Sequence, residues 1–190
     1  MYESGGEAAK QNYWLREIIT ANKNAGNQRT DRTQYLAAKA SYTLAVSVYA
    51  QYKEIRLVEP LQANMKKKKK VMKEALRVFQ ESAGYGVAEV ATASTFHVAE
   101  IYNQFATELM ESDRPGGLSE EELEQYDILL EDQAYPFEEK AIEIHETNSG
   151  RVAEGIYDVW VRKSFSALIT LLPVRYAKVE RGEAYIDVSR

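Results

Sequence analysis

Cysteine is absent from this chain. Its absence excludes disulfides and thiolate metal sites, and it leaves the compartment open, because cytosolic and secreted proteins can both lack cysteine. Proline and glycine are scarce, 4 and 10 in 190 residues. Most of them, Gly26, Pro60, Gly84, Gly86, Pro115, Gly116, Gly117, Pro136, Gly150 and Pro173, punctuate long periodic stretches. Long apolar runs are missing too. Ala167–Leu172, the longest near the C-terminus, is far too short to span a bilayer, so no membrane insertion is expected. The opening "MYESGGEAAKQNYWLREII" has no basic segment followed by an apolar one, and so does not read as a signal peptide. The chain is expected to be soluble, with cytoplasm and periplasm both open. An excess of positive charge is also lacking. Lys and Arg number 24 against 29 Asp and Glu, a formal charge of −5, which gives nucleic acid and anionic lipid no bulk attraction.

What is present is a chain 45% hydrophobic and 28% charged, sufficient for one domain over residues 1–190 with a sizeable core. No sustained two-residue alternation marks a strand. Three-and-four periodicity dominates and predicts an all-α fold of about seven helices. They are expected over 5–24, 31–58, 61–83, 87–112, 119–134, 136–147 and 150–171, with a short piece after Pro173. Thr30 and Asp31 can cap the second helix, and Pro60 ends it. Asp113–Gly117 reads as a loop. Ser119 with Glu122 then forms a capping box, and three acids suit the positive end of the helix dipole. Pro136 is expected to kink or break the chain between the fifth and sixth helices. The tail "EAYIDVSR" lacks a helix stop, so the chain is expected to be a piece excised from a longer protein.

An aliphatic-Tyr-x-x-aromatic pattern recurs. It appears as Val48-Tyr49-Ala50-Gln51-Tyr52, as Ile101-Tyr102-Asn103-Gln104-Phe105 and as Ile156-Tyr157-Asp158-Val159-Trp160, the tyrosines 53 and then 55 residues apart. Ala40-Ser41 falls on Ala93-Ser94 at the same shift, and Val98-Ala99-Glu100 on Val152-Ala153-Glu154 at a shift of 54. Read as a repeat, Tyr49, Tyr52, Tyr102, Phe105, Tyr157 and Trp160 form the structural core of stacked helix pairs. Ordinary aromatic spacing in a helical bundle would give the same pattern.

"YPFEEKAIEIHETN", residues 135–148, resembles the second helix of a tetratricopeptide repeat, with Lys140-Ala141-Ile142-Glu143 where such repeats carry Lys-Ala-Leu-Glu. Asn148 then stands in the inter-repeat turn, and "VAEGIYDVWVRKSFSAL" follows as the next first helix. "EALRVFQESAGYG" before "VAEVATASTFHVAEIYNQF" is similar in the same order, so the likeness covers roughly residues 74–168. The chain looks like part of a large bacterial tetratricopeptide-rich protein. Two features depart from the pattern. The usual spacing is about 34 residues, and the Trp-x-x-Leu-Gly signature is missing, so the helices must be long. The resemblance implies a right-handed superhelix of long antiparallel helical hairpins that binds another protein or peptide and the neighbouring repeats of its parent chain.

Candidate chemistry is sparse. His97 and Glu100, three apart, share a helix face, whereas Glu143 and His145 do not. The paired Glu-x-x-His motifs of a di-iron bundle are missing. Neither a P-loop nor a Gly-x-Ser-x-Gly elbow occurs, and "GYG" at 84–86 reads as a helix-ending turn. No catalytic residue, cofactor or metal ligand is therefore expected. The acids Glu120, Glu121, Glu122, Glu124, Asp127, Glu131 and Asp132 form a solvated face or a strip for a basic partner. Lys66–Lys70 lies on a protruding or exposed part of the third helix, either solvated or touching a partner, or else binding phosphates or anionic lipid. Trp14, Trp160 and Phe165 are core anchors, or interface markers if exposed. The expected function is a non-enzymatic interaction scaffold, with Gln51, Glu100, Asn103, Gln104, Asp158 and Arg162 lining the partner groove beside the tyrosines. A compact helical bundle binding a small ligand or metal is the alternative. A mere spacer between repeats is the third.

Overall fold

The computed structural model describes residues 3–177, which form seven α-helices and no strand. The helices are α1 (Glu3–Asn24), α2 (Asp31–Glu54), α3 (Leu61–Ala83), α4 (Ala88–Met110), α5 (Glu120–Gly150), α6 (Val159–Leu171) and α7 (Pro173–Tyr176). Short 3-10 turns occupy Gly26–Gln28 and Arg151–Glu154. Each of α1 to α6 packs on the next in sequence, and α4 also touches α2 and α6. Side-chain contacts give the directions. Gln34 reaches Tyr85 while Lys68 reaches Tyr52, so α3 runs antiparallel to α2. Phe105 meets Phe137 while Asn148 reaches Thr92, so α5 runs antiparallel to α4. Tyr35 meets Glu89 and Tyr52 reaches Ile101, so α2 and α4 run parallel, while Thr92 meets Asp158 at the start of α6.

The local signals act as their chemistry demands. Thr30 caps α2 in a reciprocal box with Thr33, and Ser119 caps α5 in a box with Glu122. Gly86 and Gly117 take the positive φ values, 72° and 86°, that their turns require. The core lies between α2, α3, α4 and α5, where Tyr49, Tyr52, Met72, Phe79, Ile101, Phe105, Leu109 and Leu130 meet. Tyr52 also donates from its hydroxyl to the Ile101 carbonyl at 3.0 Å, joining α2 to α4.

Several boundaries differ from the sequence expectation. α2 stops at Glu54 rather than near 58, and Leu57 turns inward to be buried. Lys68 Nζ then satisfies the carbonyls of Tyr52 and Ile55, at 3.4 and 2.7 Å. The fifth and sixth expected helices are one. α5 runs unbroken through Pro136 for 31 residues, because its length lies against α4 and packing outweighs one missing N–H. Asn148 accordingly sits inside α5 and is buried, not in a turn. The expected 150–171 helix is divided by Gly155 at φ 79°, so α6 begins only at Val159.

That division removes Tyr157 from the structural core. Tyr157 precedes α6 and is 64% exposed, whereas Tyr49 is buried in α2 and Tyr102 half-buried in α4. Tyr52 and Phe105 are both fully buried in one cluster, and Ala40 and Ala93 match in burial. Other positions 53 apart differ: Ser41 is half-buried where Ser94 is buried, and Val46 is exposed where Ala99 is buried. The third copy departs further, because the long α5 displaces α6. Trp160 is half-buried among rings of α2 and α4.

Candidate binding cleft

α1 and α3 both lie on α2, and between them a cleft of about 750 Å³ opens along α2. Ser41, Leu44, Ser47, Val48 and Gln51 make its floor. Their three-and-four spacing places them on one face of α2. Arg16, Ile19, Asn22 and Lys23 wall it from α1, and Glu74, Arg77, Val78 and Glu81 from α3. At one end, side chains tie each wall to its neighbouring turn or helix. Arg29 donates to the carbonyls of Asn22 and Lys23, at 2.8 and 2.9 Å, and Gln34 donates to the Tyr85 carbonyl at 2.6 Å. On the α3 wall Arg77 donates to both oxygens of Glu74, at 3.0 and 2.6 Å, and also pairs with Glu81. The bond from Arg77 holds the Glu74 carboxyl below the usual carboxylate range. The α1 wall is cationic, with Arg16 and Lys23, joined by Arg29 from the turn before α2, and carries a buried acceptor, Asn22 Oδ1, that has no hydrogen-bond partner.

Of the six expected groove residues only Gln51 lines this cleft. Asn103 and Gln104 are half-buried on α4, and Arg162 is exposed on α6. Asp158 caps α6, its Oδ1 accepting from Trp160 N and Val161 N, both at 2.9 Å, while Oδ2 accepts from Thr92. Glu100 Oε1 lies 3.3 Å from His145 Nε2, close enough for attraction but out of line for a hydrogen bond. The expectation followed the tyrosine stripe into the contact zone of α2, α4 and α6. The cleft instead opens on the side of α2 that holds Ser41, Leu44, Ser47 and Gln51, a small-and-polar stripe visible in the sequence.

Both histidines are interior. His97 is ringed by Tyr42, Tyr49, Phe79, Phe96 and Trp160, with centroids 5.0–5.9 Å away. Burial pushes its pKa down to about 4, so it is neutral near pH 7, and the Tyr42 hydroxyl is 3.0 Å from Nε2. The same burial pushes the Tyr49 hydroxyl up to about 12. His145 Nδ1 stands 3.2 Å from Ser164 Oγ, which also accepts from Asn148 Nδ2 at 2.9 Å. Ser164, His145 and Glu100 lie in a row, but the Glu100–His145 approach is not the hydrogen bond that a hydrolase triad needs. Ser164 and His145 are fully buried and border neither surface cleft, so no substrate reaches the hydroxyl in this conformation. The cluster pins α4, α5 and α6 together. Among the described residues no group of three or more His, Cys, Asp or Glu side chains converges on a metal-sized site. No helix among them is long and apolar enough to cross a membrane.

The lysine run is not uniformly solvated. Lys68 is fully buried, its Nζ 2.6 Å from Glu108 Oε2 and 4.3 Å from the Tyr52 ring centroid. Lys66, Lys67, Lys69 and Lys70 are exposed. Trp14, 59% exposed beside Tyr13 and Ile18 on α1, is no core anchor.

No protein-family model matches the chain, and neither a characterised protein nor a solved structure matches it. The tetratricopeptide likeness therefore stands on its sequence pattern alone.

Proposed function

We propose that the chain is a non-enzymatic protein-interaction scaffold, a tetratricopeptide-like stack of long helical hairpins in a right-handed superhelix, that holds a partner peptide in the α1–α3 cleft. The cleft carries the reading: it is open along α2, floored by small and apolar side chains, and walled by both signs of charge. From Ser41 to Gln51 the floor spans about 15 Å at the rise of an α-helix. An extended peptide of about five residues has that length. Its apolar side chains would rest on Leu44 and Val48. The unlike walls would fix its direction by charge complementarity. Exposed Tyr13, Trp14 and Ile18 give α1 an apolar outer face of the kind that a neighbouring repeat covers.

Display-selected peptides test the reading. Peptides selected against the chain should lose about tenfold or more in affinity on Ser47→Tyr or Gln51→Trp, which fill the floor. Glu143→Lys, on the exposed side of α5, should leave them unchanged. Peptides that bind the filled-cleft variants as tightly as the native chain would sink the proposal. A metal or small molecule that co-purifies stoichiometrically would instead favour a ligand-binding bundle.

A further inference from the structure

The outer face of α3 carries Lys66, Lys69, Lys70 and Lys73, whose spacing keeps them on one side of the helix over about two turns. All four are exposed, and among the described residues none stands within ion-pairing distance of an acid. The acid four residues beyond Lys70, Glu74, is taken by Arg77. With Gln62 and Met65 the four lysines line a shallow groove of about 510 Å³. From Gln62 to Lys73 there are six lysines and no acid, in a chain whose formal charge is −5. Like charges at these spacings repel, and no acid on the same helix face relieves them; only Lys69 lies near rings, those of Phe105 and Phe137.

The complementary chemistry lies on α5. Its outer face presents Glu121, Glu124, Ile128, Asp132 and Tyr135 at helical spacing, with Ile128 54% and Tyr135 58% exposed. Between Arg114 and Lys140 there is no lysine or arginine. The two stripes are similar in length, about 17 Å for residues 62–73 and about 21 Å for 121–135 at the helical rise. We propose that the lysine stripe of α3 docks the acidic and apolar outer face of α5 from a second copy of this chain. Ile128 and Tyr135 would lie against Met65 and the lysine stems, with the ammonium groups reaching the flanking carboxylates. Two unlike patches on one chain make a contact that either closes as a pair or propagates head to tail. Neither stripe lines the α1–α3 cleft, so the inference does not rest on the peptide reading.

Sedimentation velocity with paired charge reversals tests it. The native chain should self-associate at about 0.1 M salt and lose about tenfold or more in association constant at about 1 M, where screening is nearly complete. Lys66→Glu/Lys70→Glu and Glu121→Lys/Asp132→Lys should each sediment as monomers. All four positions are exposed, and circular dichroism checks that both variants keep their helices. An equimolar mixture of the two variants should associate again, because each supplies the stripe the other has reversed. A native chain that stays monomeric overturns the proposal. So does a lysine variant that associates like the native chain, or a mixture that stays monomeric. Retention of the native chain on anionic phospholipid vesicles or an oligonucleotide, without self-association, overturns it as well and assigns the stripe to a polyanion.

Discussion

Lys68 is the middle residue of five lysines and the one that turns inward. Its ammonium group closes the end of α2, donating to the Tyr52 and Ile55 carbonyls and to Glu108. Lys68→Met keeps the packing volume but leaves the Ile55 carbonyl without this donor, while Tyr52 O keeps the Ile55 N–H, and Glu108 is partly solvated. Urea denaturation should show a loss of about 2–3 kcal/mol, less than for a fully buried pair. Adding Glu108→Gln should recover part of it, and a fully additive pair would show that the two side chains are uncoupled. His97 gives a pH signature. Its folded pKa of about 4 lies below the ordinary 6.5, so the unfolded chain takes the proton first as pH falls. The stability that neutral His97 contributes is complete above pH 6.5 and is lost progressively down to about pH 4. The loss should be about 2 kcal/mol, discounted for the ring's part exposure, and His97→Phe should flatten that segment of the stability–pH curve. An unchanged slope in the variant would mean that another group carries it. A run of identical lysines does not reveal which member is buried, because that depends on a helix 40 residues away.

Among the elements, α6 depends on its cap. Asp158 satisfies two free N–H groups of the first turn and takes the Thr92 hydroxyl from α4. Asp158→Ala should cost about 1–2 kcal/mol in thermal or urea unfolding. Asp158→Asn should cost clearly less, since its carbonyl still accepts; equal losses would argue against the capping role. Asp158 stands beside Tyr157 in the recurring pattern, yet its work is structural, and the helix starts after the tyrosine rather than before it. Helix starts at Thr30 and Ser119 were legible because a cap is a short-range code. The continuity of α5 was not, because Pro136 weighs locally against a helix that only the contact with α4 supports.

At the scale of the whole molecule, each long helix rests on its sequence neighbours, and α2, α4 and α6 adjoin in turn, an order that a stack and a bundle share. A stack scatters as an elongated particle. Small-angle scattering should give a radius of gyration clearly above the roughly 16 Å of a compact domain of 190 residues. A compact value would remove the superhelical reading and with it the open cleft. The sequence by itself determined the all-α class, the caps at Thr30 and Ser119, and the glycine turns at Gly86 and Gly117, since each follows from periodicity or from bonds within a few residues. Only the tertiary structure decided that Lys68 is buried, that Tyr157 leaves the core, that α5 passes through Pro136, and that α1 and α3 part to open a cleft over α2. Those outcomes depend on which helix faces meet across dozens of residues, and a local pattern carries no record of its distant partner.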